Sequence, residues 1–201
     1  RAIGAAEFAS RRFEGDDVLG TLACNARRHS WRHTVVTGDK DLAQLVRTGD
    51  EWWDFERDRR LDVRGIQRQF GVAPHQIPDL LALAGDPSDN IPGVPGVGRP
   101  TAVRLLRRWG DLDTLFAHLA EVRRMRFRGA ARVADLLARH EATVRLTRRL
   151  TSTLTLLTGT TLPPPQRMLP SRFPSFSAIP SHPAWPPGSV ARRGDHRPLR
   201  P

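Results

Sequence analysis

The chain runs to 201 residues, room for one domain and a fraction of another, and carries a formal net charge of +11. Its one cysteine, Cys24, excludes an internal disulfide framework and a Cys-rich zinc site, and no apolar run approaches the roughly 20 residues of a membrane span. The positive charge favours a polyanionic partner, nucleic acid first, although Lys40 is the only lysine and a GC-rich coding sequence produces the same arginine bias.

The opening stretch, RAIGAAEFASRRF, has neither a signal-peptide core nor an initiator methionine, so it reads as the interior of a domain in a cytoplasmic protein. GDDVLGTLACNARRH then spaces Val18, Leu19, Leu22, Ala23 and Ala26 on one helix face, with acids in the first turn. Cys24 falls in that run, as a small buried hydrophobe. HTVVTG is a short β-branched strand, DKDLAQLVRTG a helix opened by acids and closed by Gly49, and EWWDFE a second strand. Such alternation predicts an α/β layer with a parallel sheet.

From Arg64 the pattern is helical. RGIQRQFG ends on Gly71, and Pro74 opens the helix that carries PDLLALAG. Pro100 sits in the first turn of RPTAVRLLRRWG, where its missing N–H costs nothing. DLDTLFAHLA follows, capped by Asp111 or Asp113, and one long arginine-studded helix is expected from about Glu121 to Leu150. Residues 151–201 hold 11 of the 17 prolines, and six arginines against a single acid, Asp195. They read as a disordered tail.

Three acidic clusters stand at element boundaries. Glu14, Asp16 and Asp17 lie at the mouth of the first helix, where the helix dipole alone would favour them. Yet three carboxylates within four residues repel one another unless a cation neutralises them, and hard divalent cations take oxygen ligands. Asp39 and Asp41 follow the first strand, at the edge where open α/β sheets bind ligands; a helix cap is the bland reading. For Asp86 and Asp89 that reading is an Asx turn. Gly93, Gly96 and Gly98 then feed a helix whose N-terminus and residues Arg99, Thr101, Arg104 and Arg107 suit a phosphate backbone, without reading bases.

FEGDDVLGTLA, VVTGDKDLAQLV and GDPSDNIPGVPGVGRPTAVRLL…WGDLDTL together resemble the bacterial 5′–3′ exonuclease and flap endonuclease family, whose members stand alone or form the N-terminal domain of DNA polymerase I. The resemblance covers about Phe13 to Leu119, and more loosely runs to Leu150; the EWWDFERDRRLDVRGIQRQFGV segment is closer to a stand-alone member. It implies a monomeric nuclease that hydrolyses phosphodiester bonds at flaps or 5′-end duplex junctions with two Mg²⁺ or Mn²⁺ ions. The seven acids would be metal ligands, none of them a classical general base. A helix–turn–helix clamp (Gly93, Gly96, Gly98, Arg99, Thr101, Arg104, Arg107) would hold duplex DNA, with K⁺ on its loop carbonyls. Gly15 replaces the family's usual Ala, and Pro100 stands where a Lys is common, which removes a phosphate contact and an amide. The family's first metal-binding Asp, a second Asp and a basic helical arch would lie upstream, so the 201 residues are expected to bind DNA and metal but to cleave slowly or not at all. The tail matches nothing in the family and is expected to be out-of-frame sequence.

The expected fold class is therefore α/β: part of a parallel-sheet nuclease core over 1–63, an all-helical helix–turn–helix DNA-binding region over 64–150, and the tail over 151–201. The competing reading is a non-catalytic, sequence-independent duplex DNA-binding module; a weaker third is a defective translation product.

Overall fold

The computed structural model describes residues 8 and 10–153; the expected disordered tail lies, from residue 154 onward, outside the described residues. Among them α1 (Gly15–Arg28) is followed by β1 (Thr34–Val36), a 3-10 turn (Asp41–Leu45), β2 (Glu51–Asp54) and β3 (Arg59–Leu61). The rest is helical: α2 (Val63–Phe70), α3 (Ile77–Ala84), α4 (Arg99–Trp109), α5 (Leu112–Ala117), α6 (Leu119–Arg123) and α7 (Ala130–Thr151). No described helix is long and apolar enough to cross a membrane.

The first helix forms where the apolar spacing places it, but it buries Gly20, Thr21, Ala23 and Ala26, while Leu19 is exposed and Cys24 only half-buried. The sheet is mixed rather than parallel throughout. β1 pairs with β2 in parallel, Val35 opposite Trp52, and β2 pairs with β3 antiparallel, Trp53 opposite Arg60. The third strand escapes a reading by hydropathy because its three residues, RRL, include two arginines. They are held there by side-chain contacts instead: the Arg60 guanidinium stacks 3.9 Å above the Trp53 ring.

DKDLAQLVRTG does not form the expected helix. It makes five residues of 3-10 turn, and Val46 is already extended. The following carbonyls are diverted to arginines: Arg47 donates to Gln44 O at 2.6 Å and to Val46 O at 2.9 Å, and Arg27 donates to Leu45 O. With Val46 extended, these side-chain bonds satisfy the carbonyls that the ended turn leaves without helix partners.

The single long helix expected from Glu121 to Leu150 is two helices. Between them, Arg124-Met-Arg-Phe-Arg128 alternates, with Met125 and Phe127 packed on the core and the arginines exposed. A period of two cannot continue a 3.6-residue helix face, and Gly129, at φ +85°, breaks the run before α7. Asp111 caps α5, its side chain accepting from Thr114 N at 2.8 Å, and Asp62 caps α2 through Gly65 N at 2.7 Å.

One core joins the β2 face to the helices. Trp52, Ile66, Ile77, Leu83, Leu105, Leu115, Leu137 and Val144 are fully buried in it. Trp52 also bears on the site below. Its indole Nε1 donates to the Asp39 carbonyl at 2.9 Å, so burying the ring fixes the loop that follows β1.

Candidate metal centre

Four segments meet around a cavity of about 430 Å³: the start of α1, the β1–turn loop, the loop after α3 and the end of α7. Six of the seven acids singled out in the sequence line it: Glu14, Asp16, Asp17, Asp39, Asp41 and Asp89. The seventh, Asp86, is only 5% exposed and lines the adjoining cavity with Lys40. Asp41, Asp86 and Asp89 each offer a carboxylate oxygen, all within 4.8 Å of one another.

Local structure explains part of this arrangement. Asp39 Oδ1 accepts the Asp41 amide at 2.8 Å, and the Asp39 amide donates to Thr37 Oγ1 at 3.0 Å. Asp86 Oδ1 accepts the Ser88 amide at 3.0 Å, so an Asx turn is present at Asp86. The short loop closes on itself through paired bonds between Asp86 and Ile91, at 2.9 and 2.8 Å. These bonds account for the turns but not for the charge. Asp41 Oδ1 is buried and finds no hydrogen-bond partner among the described residues.

The electrostatics match that geometry. Burial first, and then the Asp39 carboxylate, push Asp41 up to about 6. Asp16 is also raised, by burial and then by Asp39, Glu14 and Asp17. Burial alone would raise Asp86 too, but hydrogen bonds from Lys40 and Ser88 outweigh it and hold that carboxyl below the usual range. The Lys40 ammonium lies 2.6 Å from Asp86 Oδ2, 2.7 Å from Ser88 Oγ and 3.8 Å from Asp89 Oδ2.

Sequence reasoning passed over Lys40 and the back wall. Gln44 is buried, donates to Asp41 O at 3.1 Å and Thr151 O at 3.0 Å, and accepts the Thr153 amide at 3.1 Å. It pins the end of α7 behind the acids, so Thr151–Thr153 belong to the cavity wall. A polar residue in the middle of the apolar run LAQLV was the available signal.

The predicted clamp residues are distributed less simply. Gly93 sits at φ +44° with its backbone against Ala84 and Gly85, so a side chain there would collide with the end of α3. Its freedom serves chain packing first. Gly96 and Gly98 are exposed, Gly98 as the N-cap of α4, and Thr101 is half-buried in the first turn. Arg99 donates to Gln69 O at 3.0 Å and Arg107 to Gly71 O at 2.8 Å, which ties α4 to the end of α2. Arg104 is exposed, its guanidinium 5.2 Å from the Phe127 ring centre.

Residues 1–71 match the N-terminal resolvase-like domain of 5′-3′ exonucleases, and residues 72–162 match the 5′-3′ exonuclease C-terminal SAM fold. The chain belongs to the 5′-3′ exonuclease family. Among its relatives, DNA polymerase I of Mycobacterium leprae is 39% identical over 155 residues, 75% of this chain and 16% of that protein. DNA polymerase I of Pseudomonas aeruginosa is 45% identical over 131 residues, 65% of this chain and 14% of that protein. The chain thus spans about a sixth of the length of these relatives.

Solved structures share the fold at lower identity. Bacteriophage T5 5′-exonuclease with bound divalent zinc superposes with a TM-score of 0.62 at 21% identity, over 75% of this chain and 54% of that one. T5 flap endonuclease, in a pseudo-enzyme–product complex with DNA and metal ions, superposes with a TM-score of 0.59 at 21% identity, over 72% of this chain and 51% of that one.

Proposed function

We propose that this chain carries the metal-binding and DNA-binding parts of a structure-specific 5′–3′ nuclease, acting as a monomer on flapped or 5′-ended duplex DNA. The observation that carries this reading is the gathering of three acidic clusters, distant in sequence, around one cavity in which a buried oxygen of Asp41 has no partner among the described residues. Carboxylates that raise one another's pKa values form a donor set that suits Mg²⁺ or Mn²⁺. Asp41, Asp86 and Asp89 would hold one ion, and Glu14, Asp16, Asp17 and Asp39 would serve a second. Bound there, such ions would lower the pKa of attacking water and stabilise the leaving 3′-oxygen of a phosphodiester.

The protein's own residues supply the rest. Trp52 and the Asx bonds fix the Asp39–Asp41 loop, and Gln44 closes the back of the site. The clamp would grip duplex backbone with the Gly96–Gly98 amides and the start of α4, Thr101 included. Arg104 would add charge, with Arg99 and Arg107 lending donors left over from their bonds to the end of α2, and K⁺ would sit on the loop carbonyls. The division into a nuclease-core part over 1–63 and a DNA-binding part over 64–150 follows the same reading.

Single-turnover incubation of a 5′-flapped duplex with excess protein tests the proposal. The 5′-terminal product should form only with Mg²⁺ or Mn²⁺ and fall at least a hundredfold in Asp16→Asn. An equal yield in chelator, or from the variant, overturns the nuclease reading. Duplex binding with neither product nor saturable Mn²⁺ binding would favour the non-catalytic DNA-binding module instead.

A further inference from the structure

We propose that Lys40 is a tethered cation that occupies the Asp86–Asp89 side of the metal centre and must be displaced for a divalent ion to bind there. The inference rests on the metal reading above and assigns a role to a residue outside the ligand set.

Three observations support it. The ammonium reaches both acids of the loop after α3 and the Ser88 hydroxyl, at 2.6, 3.8 and 2.7 Å. Asp86 and Asp89, together with Asp41, are the three carboxylates whose oxygens come within 4.8 Å of one another. The lysine charge therefore stands where a metal ion would be attracted, and two cations cannot share that space without strong repulsion.

Composition is the second observation. The chain holds 32 basic side chains of the Lys and Arg type, and this is its only lysine. A planar guanidinium suits a bidentate fork, whereas a compact ammonium mimics a point cation and can turn away on a flexible stem. The third is exposure. The Lys40 side chain is 40% exposed while its main partner, Asp86, is 7% exposed. The lysine has solvent to turn toward when an ion takes over its contacts, but the buried carboxylate cannot follow it and is left needing a cation.

Lys40 also lies between Asp39 and Asp41, within the 1–71 family segment, and its contacts lie in the 72–162 segment. In the metal-free protein it thus keeps the two halves of the ligand set together. It is a positioning residue, and its departure would accompany metal arrival.

The test compares wild type with Lys40→Gln and Lys40→Met in the full chain, titrated with Mn²⁺ and followed by calorimetry and by the paramagnetic signal of free Mn²⁺. Removing the competing charge should tighten Mn²⁺ binding at least tenfold. In thermal melts, both variants should melt below wild type in chelator and gain more from Mn²⁺ than wild type does. Should Lys40→Met fail to fold in chelator, Lys40→Gln, which keeps a polar contact, still reports. Unchanged or weaker Mn²⁺ binding in the variants, with wild type binding normally, overturns the role of Lys40 alone. If neither wild type nor variants bind Mn²⁺, the metal reading fails and this proposal fails with it.

Discussion

Asp50, beside α1, and Asp79, in α3, are both only 3% exposed, and the protein neutralises each with its own arginine. Asp50 accepts from Arg27 Nε at 3.2 Å and from the Arg47 amide at 3.1 Å, with His33 Nδ1 also at 3.2 Å. Asp79 pairs with Arg148 Nε at 2.6 Å and accepts the Leu112 amide at 3.3 Å. Around the acid-lined cavity the opposite holds. Asp16, Asp39 and Asp41 face one another, and no arginine among the described residues forms an ion pair with them. A fold that pairs its structural carboxylates and leaves another group unpaired reserves that group for a charge it does not supply itself.

The contrast can be broken most forcefully on the structural side. Asp50→Ala strands Arg27 and two backbone amides, and should cost about 2–4 kcal/mol, the low end being set by the partial exposure of Arg27. The denaturant midpoint measures this; a loss under about 0.5 kcal/mol would mean that the arginine contacts are incidental.

On the cavity side the sign should reverse. Asp41 is raised to about 6 in the folded chain from 3.8, so the native state holds its proton more tightly than the unfolded state does. Wild type without metal therefore loses stability as pH rises from about 4 to about 6, and that loss persists above. Asp41→Asn should be more stable than wild type in chelator at about pH 7, by roughly 1 kcal/mol once solvent screening is allowed for, with the difference gone below about pH 4. Melts across that range that show the variant destabilised at about pH 7 would contradict the account.

The smallest effect on the fold belongs to the clamp. Arg104→Gln should leave stability within about 0.5 kcal/mol, yet weaken binding to all duplex sequences alike and reduce the slope of log affinity against log salt by about 0.9. A titration with unchanged slope would remove Arg104 from the DNA contact and leave it as a cover for Phe127.

Most elements were legible because they follow local rules. Apolar spacing marked α1, β-branched residues marked β1, and Pro74, Pro100 and Gly71 marked helix ends. What escaped depends on side-chain contacts that apolar spacing does not encode. The turn after Asp41 ends where Arg27 and Arg47 satisfy its carbonyls, and β3 stands on the Arg60–Trp53 stack. The break between α6 and α7 was written in the alternation of Arg124–Arg128, but read as helix because its flanks are helical.

At the site, the acids were visible as clusters at element boundaries. Their gathering was not, because it relies on Trp52 holding Asp39 and on Gln44 reaching Thr151. Gln44 stands out locally as a polar residue within LAQLV, but nothing near either residue names its partner.

The central claim is that the unpaired carboxylates await a divalent cation, and Mn²⁺ titration of the 201-residue chain by calorimetry tests it most directly. Wild type should bind Mn²⁺ saturably, and Asp39→Asn combined with Asp41→Asn should abolish the tightest site while the protein stays folded. Unchanged binding in the folded double variant, or none in wild type, would contradict the claim and leave the acids as turn and helix-end residues.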